Sequence, residues 1–206
     1  MRRRLSAQKM ISARRLIIFF LSVVLLFLSA SCKKEAVSEE RISGMYRNAD
    51  GFSAVLSVEL DHGDHTTAYK LEFTYASDNG YVIRITEPVS LAGLETKISG
   101  SALEITYEGV VFAPERLDGV TATPVKLLPA TVESWKRGLA DTIFYEKEDG
   151  KRLAILDIFA AVEGDEIMLR TWFDDETLLP VRSEAFYDGK RVMKCEFLNA
   201  EFSKSE

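Results

Sequence analysis

The chain has 206 residues, with 26 Lys and Arg against 32 Asp and Glu and a formal net charge of −6. That balance excludes the basic footprint on which nucleic-acid binding depends. Two cysteines and two histidines exclude a disulfide framework and leave few positions for nucleophile–base pairs.

The first residues are built for export. Arg2, Arg3, Arg4, Lys9, Arg14 and Arg15 precede an apolar run at residues 16–28 (LIIFFLSVVLLFL), then Ser29-Ala30-Ser31-Cys32. A basic head, a short apolar middle and small residues at the end form a secretory signal. The run is too short to span ~30 Å of hydrocarbon comfortably. A cysteine directly after small residues resembles the lipobox of bacterial lipoproteins, in which the new N-terminal Cys is acylated. The pattern departs at one place: Ser29 stands where Leu is usual, with Leu28 one step earlier. An uncleaved anchor and a soluble secreted product are the alternatives. We therefore expect a signal over residues 1–31, a tether over 32–50 and one domain over 51–206. The domain would sit on the extracytoplasmic face of a membrane, attached through Cys32. Removing the signal leaves 20 basic and 32 acidic residues, a formal charge of −12. The body itself would then not adhere to anionic headgroups.

Residues 33–42 (KKEAVSEERI) are charged and read as a tether closing in a helical turn. From Gly51 a period of two dominates, the mark of strands with one apolar face. Leu56, Val58 and Leu60 lead into the turn Asp61-His62-Gly63-Asp64-His65. Tyr69, Leu71, Phe73 and Tyr75 follow, then Asp78-Asn79-Gly80, a hairpin signal. Tyr81, Ile83 and Ile85 form the next strand, which Pro88 stops. Leu94 to Ile98, Leu103 to Tyr107 and a short stretch over 109–112 continue the meander.

One helix is expected over residues 124–138. Val125, Leu128, Val132 and Trp135 share a face, and Gly138 suits the position after its end. Pro129 would fall in its first turn or divide it. This helix should lie across the apolar face of the sheet. Strands resume over 142–146, 153–162, 167–173, 178–187 and 191–202. The 153–162 stretch (LAILDIFAAV) is apolar on both faces except at Asp157, as in a central strand covered on both sides.

Catalytic signatures are missing. The sequence holds no Gly-x-Ser-x-Gly, P-loop, Gly-x-Gly-x-x-Gly or His-Glu-x-x-His. His62 and His65 with two Asp invite a metal reading, but a mobile hairpin tip lacks the fixed geometry a metal site needs, so we expect a polar tip and no metal. Cys195 reads as a small buried residue, with a free reactive thiol or an intermolecular disulfide as the alternatives. Asp157 is either solvent-facing or a buried functional carboxylate. No cofactor is expected. The aromatics and aliphatics Leu71, Phe73, Tyr81, Ile83, Leu128, Val132, Trp135, Phe159 and Trp172 are the more suggestive set. They would fill an ordinary core or line an apolar groove and lid for an acyl chain.

Two stretches carry a family resemblance: residues 83–94 (IRITEPVSLAGL) and 98–109 (ISGSALEITYEG), with the Pro-containing helix over 124–138 in a lid position. Together with the lipoprotein signal, this pattern resembles the LolA-like, lipoprotein-sorting family. The resemblance implies a mainly β fold, an unclosed antiparallel barrel or strongly curved sheet with a helical lid. The lipid anchor and the Pro88–Gly93 segment most resemble GerS-type germination lipoproteins. That likeness implies a non-catalytic protein beside a cortex or cell-wall amidase. A lipid or lipoprotein carrier, with acyl chains in an apolar cavity, is the rival expectation. Unclosed sheets also leave edges through which a homodimer could form.

Overall fold

In the computed structural model, residues 38–114 and 123–203 are described. Helix α1 (Glu39–Asn48) opens the body, and β1 (Gly51–Asp61), β2 (Thr66–Ala76), β3 (Gly80–Glu87), β4 (Glu95–Ser99), β5 (Ala102–Tyr107) and β6 (Val110–Phe112) follow as a meander. Helix α2 (Pro124–Arg137) leads to a second meander. Its strands are β7 (Thr142–Glu148), β8 (Lys151–Val162), β9 (Asp165–Asp174), β10 (Pro180–Tyr187) and β11 (Lys190–Ser203).

All eleven strands join one antiparallel sheet in the order β6-β5-β4-β3-β2-β1-β11-β10-β9-β8-β7. The first and last strands pair in its middle, from Gly51 opposite Ser203 to Leu60 opposite Met193. Among the described residues the order does not close, and β6 and β7 are its two ends. Tight turns make the meanders possible. Glu108-Gly109, Asp149-Gly150, Glu163-Gly164 and Asp188-Gly189 all take positive φ at both residues, the geometry that matches strand twist in two-residue hairpins.

The sheet curls. Five strand spacings of ~4.8 Å would set β3 and β9 about 24 Å apart in a flat sheet. Yet Glu133 of α2 accepts from Tyr81 of β3, while Trp135, two residues on, reaches Thr171 of β9. The strands therefore wrap around α2, and both helices lie on the inner face. This is the unclosed, helix-covered sheet that the resemblance implied.

Helix α2 runs through Pro129 instead of breaking there. Its buried stripe is Leu127, Leu128, Thr131, Val132, Ser134 and Trp135. Gly138 ends it in the left-handed region at φ 66°, and a Cβ there would lie 2.7 Å from Ser43 Oγ. That close approach seats α1 on the end of α2. Arg47 of α1 donates from Nε and Nη2 to the Lys136 carbonyl, both at 3.3 Å. A cation thus meets the negative end of the helix dipole.

Two elements differ from the sequence expectation. The stretch expected as tether contains α1, whose Ile42 and Tyr46 are fully buried in the main core. Ser38 caps it, accepting from the Arg41 amide, and Glu39 and Glu40 occupy its first turn. The 153–162 strand is second from an edge and not central. Its double-sided burial has a local cause: Leu153 and Ile155 pack with Trp172 in a small cluster separate from the main core.

Candidate functional site

The inner face is filled with side chains. Trp135 is 1% exposed. Its ring lies 4.9 Å from Tyr46, 5.2 Å from Phe173, 5.9 Å from Phe197 and 6.2 Å from Phe52. These are ordinary spacings for edge-on and tilted aromatic contacts. Leu71, Phe73, Tyr81, Ile83, Leu128 and Val132 belong to the same buried cluster. Of the residues singled out as groove or lid, seven are thus together under the helices.

Polar links fix the helix against the sheet. Trp135 Nε1 donates to Thr171 Oγ1 at 2.9 Å, which pairs with Ser183 Oγ at 3.0 Å, and Ser183 in turn donates to the Arg170 carbonyl at 3.1 Å. All of these side chains are buried except that of Arg170. Thr171→Val leaves the indole N–H without its acceptor, so we expect a loss of about 1–3 kcal/mol of stability in urea unfolding. At the other side of α2, Tyr81 donates to Glu133, and Lys136 donates to Glu133 Oε1 and to the Tyr75 hydroxyl, both at 2.9 Å. Burial, with the Glu133 carboxylate beside it, pushes the Tyr81 phenol far above its usual range, so it remains a donor. Partial burial opposes ionisation of Glu133, but the bonds from Tyr81 and Lys136 outweigh it and hold its carboxyl below the usual value.

Phe159 and Trp172 stand on the opposite, outer face. Phe159 is 52% exposed. Trp172 donates from Nε1 to Glu146 at 2.7 Å, and the Arg182 guanidinium lies 4.1 Å from its ring centre. Asp157 is there too, gripped by Arg170 through two bonds of 2.6 Å. It is one half of an ion pair. Donating to the Asp157 carboxylate raises the Arg170 guanidinium further above its already high value.

His62 and His65 sit on the β1–β2 hairpin tip with their rings stacked at 4.6 Å. His65 Nδ1 is 2.6 Å from Asp64 Oδ1, and Asp61 accepts from the Gly63 amide at 2.8 Å. Among the described residues no group of three His, Cys, Asp or Glu could hold a metal ion. Cys195 is fully buried, and burial pushes its thiol far above the usual value, which keeps it un-nucleophilic. Cys32 lies outside the described residues. Among those residues, no helix is long and apolar enough to cross a membrane.

Edge strand β6 exposes Val110, Val111 and Phe112 at 53–57%. The opposite edge β7 carries Glu146, Lys147 and Glu148, which discourage pairing with another chain. A cleft of about 670 Å³ runs along α1, bounded by Leu178 and Phe202 on its far wall. Sequence reasoning missed this cleft because α1 was read as tether. The signal was present in Ile42 and Tyr46 at helical spacing behind a Ser-Glu-Glu start.

No protein-family model matches the chain, and no curated protein matches it. Solved structures do. An uncharacterised conserved protein from Thermus thermophilus is 9% identical, covering 80% of this chain and 85% of that one, with a TM-score of 0.49. A LolA superfamily protein from Nitrosomonas europaea is 13% identical over 83% and 96% of the two chains, with a TM-score of 0.40. A chain in the complex of the CwlD amidase with the GerS lipoprotein from Clostridioides difficile is 14% identical over 76% and 88%, with a TM-score of 0.44. All three likenesses lie under 15% identity and a TM-score of 0.5, so the functional reading rests on this chain's own geometry.

Proposed function

We propose that this protein is a non-catalytic lipoprotein, tethered through Cys32 to the extracytoplasmic face of a bacterial membrane, that works by gripping a partner protein at the rim of its sheet. One observation carries the reading: the inner face is packed with its own side chains, while the β6 edge presents three exposed apolar residues. An exposed apolar edge strand can take up a strand of another chain. The partner class comes from the sequence resemblance, a cell-wall or cortex amidase. Asp157, the carboxylate singled out as a catalytic candidate, is in an ion pair, which supports a binding role. The rival reading, an acyl-chain carrier, needs space under α2 that Trp135 and its aromatic neighbours occupy.

The anchor has its own test. Cys32→Ala moves the protein from the membrane pellet to the soluble fraction, since one Lys33-Lys34 pair adds only about 1 kcal/mol per residue of attraction to anionic lipid. A Cys32→Ala protein that stays in the pellet after a salt wash removes the lipid anchor from the account.

A further inference from the structure

Four unusual features meet at the cleft along α1. Arg41, Gly44, Met45 and Asn48 are spaced i, i+3, i+4 and i+7 and form its near wall. Gly44 sits mid-helix, where glycine weakens a helix, and a Cβ built on it meets nothing within 4 Å. Met45 is 40% exposed. Arg41 makes no side-chain hydrogen bond or ion pair among the described residues. Across the cleft, Leu178 has φ +60°, a left-handed conformation that is rare for a bulky side chain and marks strain. It is held there by its amide, which donates to the Asp174 carbonyl at 2.9 Å, and by Tyr46 Oη, which donates to its carbonyl at 3.1 Å. Together Gly44, Met45, Leu178 and Phe202 give an apolar trough with an unpaired cation at one end.

We propose that this cleft binds a single-chain anionic amphiphile, an alkyl chain ending in a carboxylate. The carboxylate pairs with Arg41, and the chain lies over Gly44 between Met45, Leu178 and Phe202. Charge sets the direction. Asp50 lines the other end and repels an anion, so the head goes to Arg41. A guanidinium matches a carboxylate with two parallel bonds. Position supplies the source. Ser38, the cap of α1, lies three residues before Arg41. Cys32 is six residues further back, a reach of at most about 20 Å. If Cys32 is acylated, as proposed above, the Arg41 end stays close to the membrane, where such amphiphiles concentrate. Only this source of the ligand rests on that reading; the cleft's chemistry does not. Its far wall, Leu178 and Phe202, is the rim of the same packed cluster, so the ligand lies along α1 at the border of the core.

The test uses the full-length protein in its membrane and a diazirine-bearing fatty acid, with adducts mapped by mass spectrometry. We expect adducts on residues 41–50 and on Phe202. Excess dodecanoate removes them, and dodecanol at equal concentration does not. Gly44→Leu fills the trough where space is open, so it melts no lower than the parent yet cuts the adduct yield about tenfold, the effect of losing one good apolar contact surface. Arg41→Gln, at an exposed position, gives a similar loss. Adducts spread equally over Val110–Phe112 and Phe159, or an undiminished yield in Gly44→Leu, would overturn the proposal. A failed Cys32 anchor shows instead as loss of the protein from the membrane, with labelling of residues 41–50 retained in solution.

Discussion

Trp135→Ala lowers stability by about 3–5 kcal/mol, the range for truncating a fully buried large aromatic. The reasons are local and add up. The indole fills the space between α1, α2 and both meanders, touching Tyr46, Phe52, Phe173 and Phe197. Its N–H also ties α2 to Thr171, so truncation leaves a buried hydroxyl pair one bond short. Domains of this size have ~5–15 kcal/mol in total, so the variant should be near the edge of folding. Thermal unfolding followed by near-ultraviolet circular dichroism should show a midpoint about 10 °C or more below the parent. A midpoint within about 2 °C would mean that Trp135 covers empty space and does not fill it.

Gly80→Ala should cost about 3 kcal/mol, the sum of two penalties of a different kind. Gly80 opens β3 at φ +79°, and a Cβ there would stand 2.1 Å from the carbonyl oxygen of Ile98. The left-handed region alone costs an alanine about 1–2 kcal/mol. The clash is with backbone, so no side chain can turn aside; β4 must move, and the pairing of Tyr81 with Ile98 moves with it. Chemical denaturation measures the loss. Substitution at Gly44, where no atom lies within 4 Å, is the control: the same Gly→Ala change there should not destabilise.

The strands were legible because each exposes one face to water, and alternation reports that directly. Leu71, Phe73 and Tyr75 alternate with Lys70, Glu72 and Thr74 in the chain and do so again in burial. Helix α2 was legible for the same reason at a period of 3.6. Helix α1 was hidden by composition: seven of its ten residues are polar or glycine (EERISGMYRN), and burial of Ile42 and Tyr46 alone recruits it to the core. Pro129 was read as a possible break, yet the helix continues, because packing on both sides of it outweighs one missing amide bond. Asp157 shows a third limit. An acid in an apolar strand looks the same in sequence whether it is poised for chemistry or clamped by an arginine on the next strand. Trp172 and Phe159 share the alternating pattern of the core residues, but sequence does not reveal which face a strand turns inward once both faces hold aromatics. The α1 cleft was illegible for a related reason, since its walls come from residues 41–50, 178 and 202, which only the curling of the sheet brings together.

The most direct test concerns what the protein holds when it leaves its own membrane. Full-length protein and a Val111→Asp, Phe112→Asp variant would be purified in parallel, each assayed for cell-wall amidase activity and for bound lipid. The two substituted side chains are exposed, so stability should change by no more than about 1 kcal/mol. The account predicts amidase activity bound to the parent protein, lost from the edge variant, with no stoichiometric lipid under α2. An unchanged amidase in the edge variant, or an acyl lipid recovered beside Trp135 with no amidase in either preparation, would contradict it.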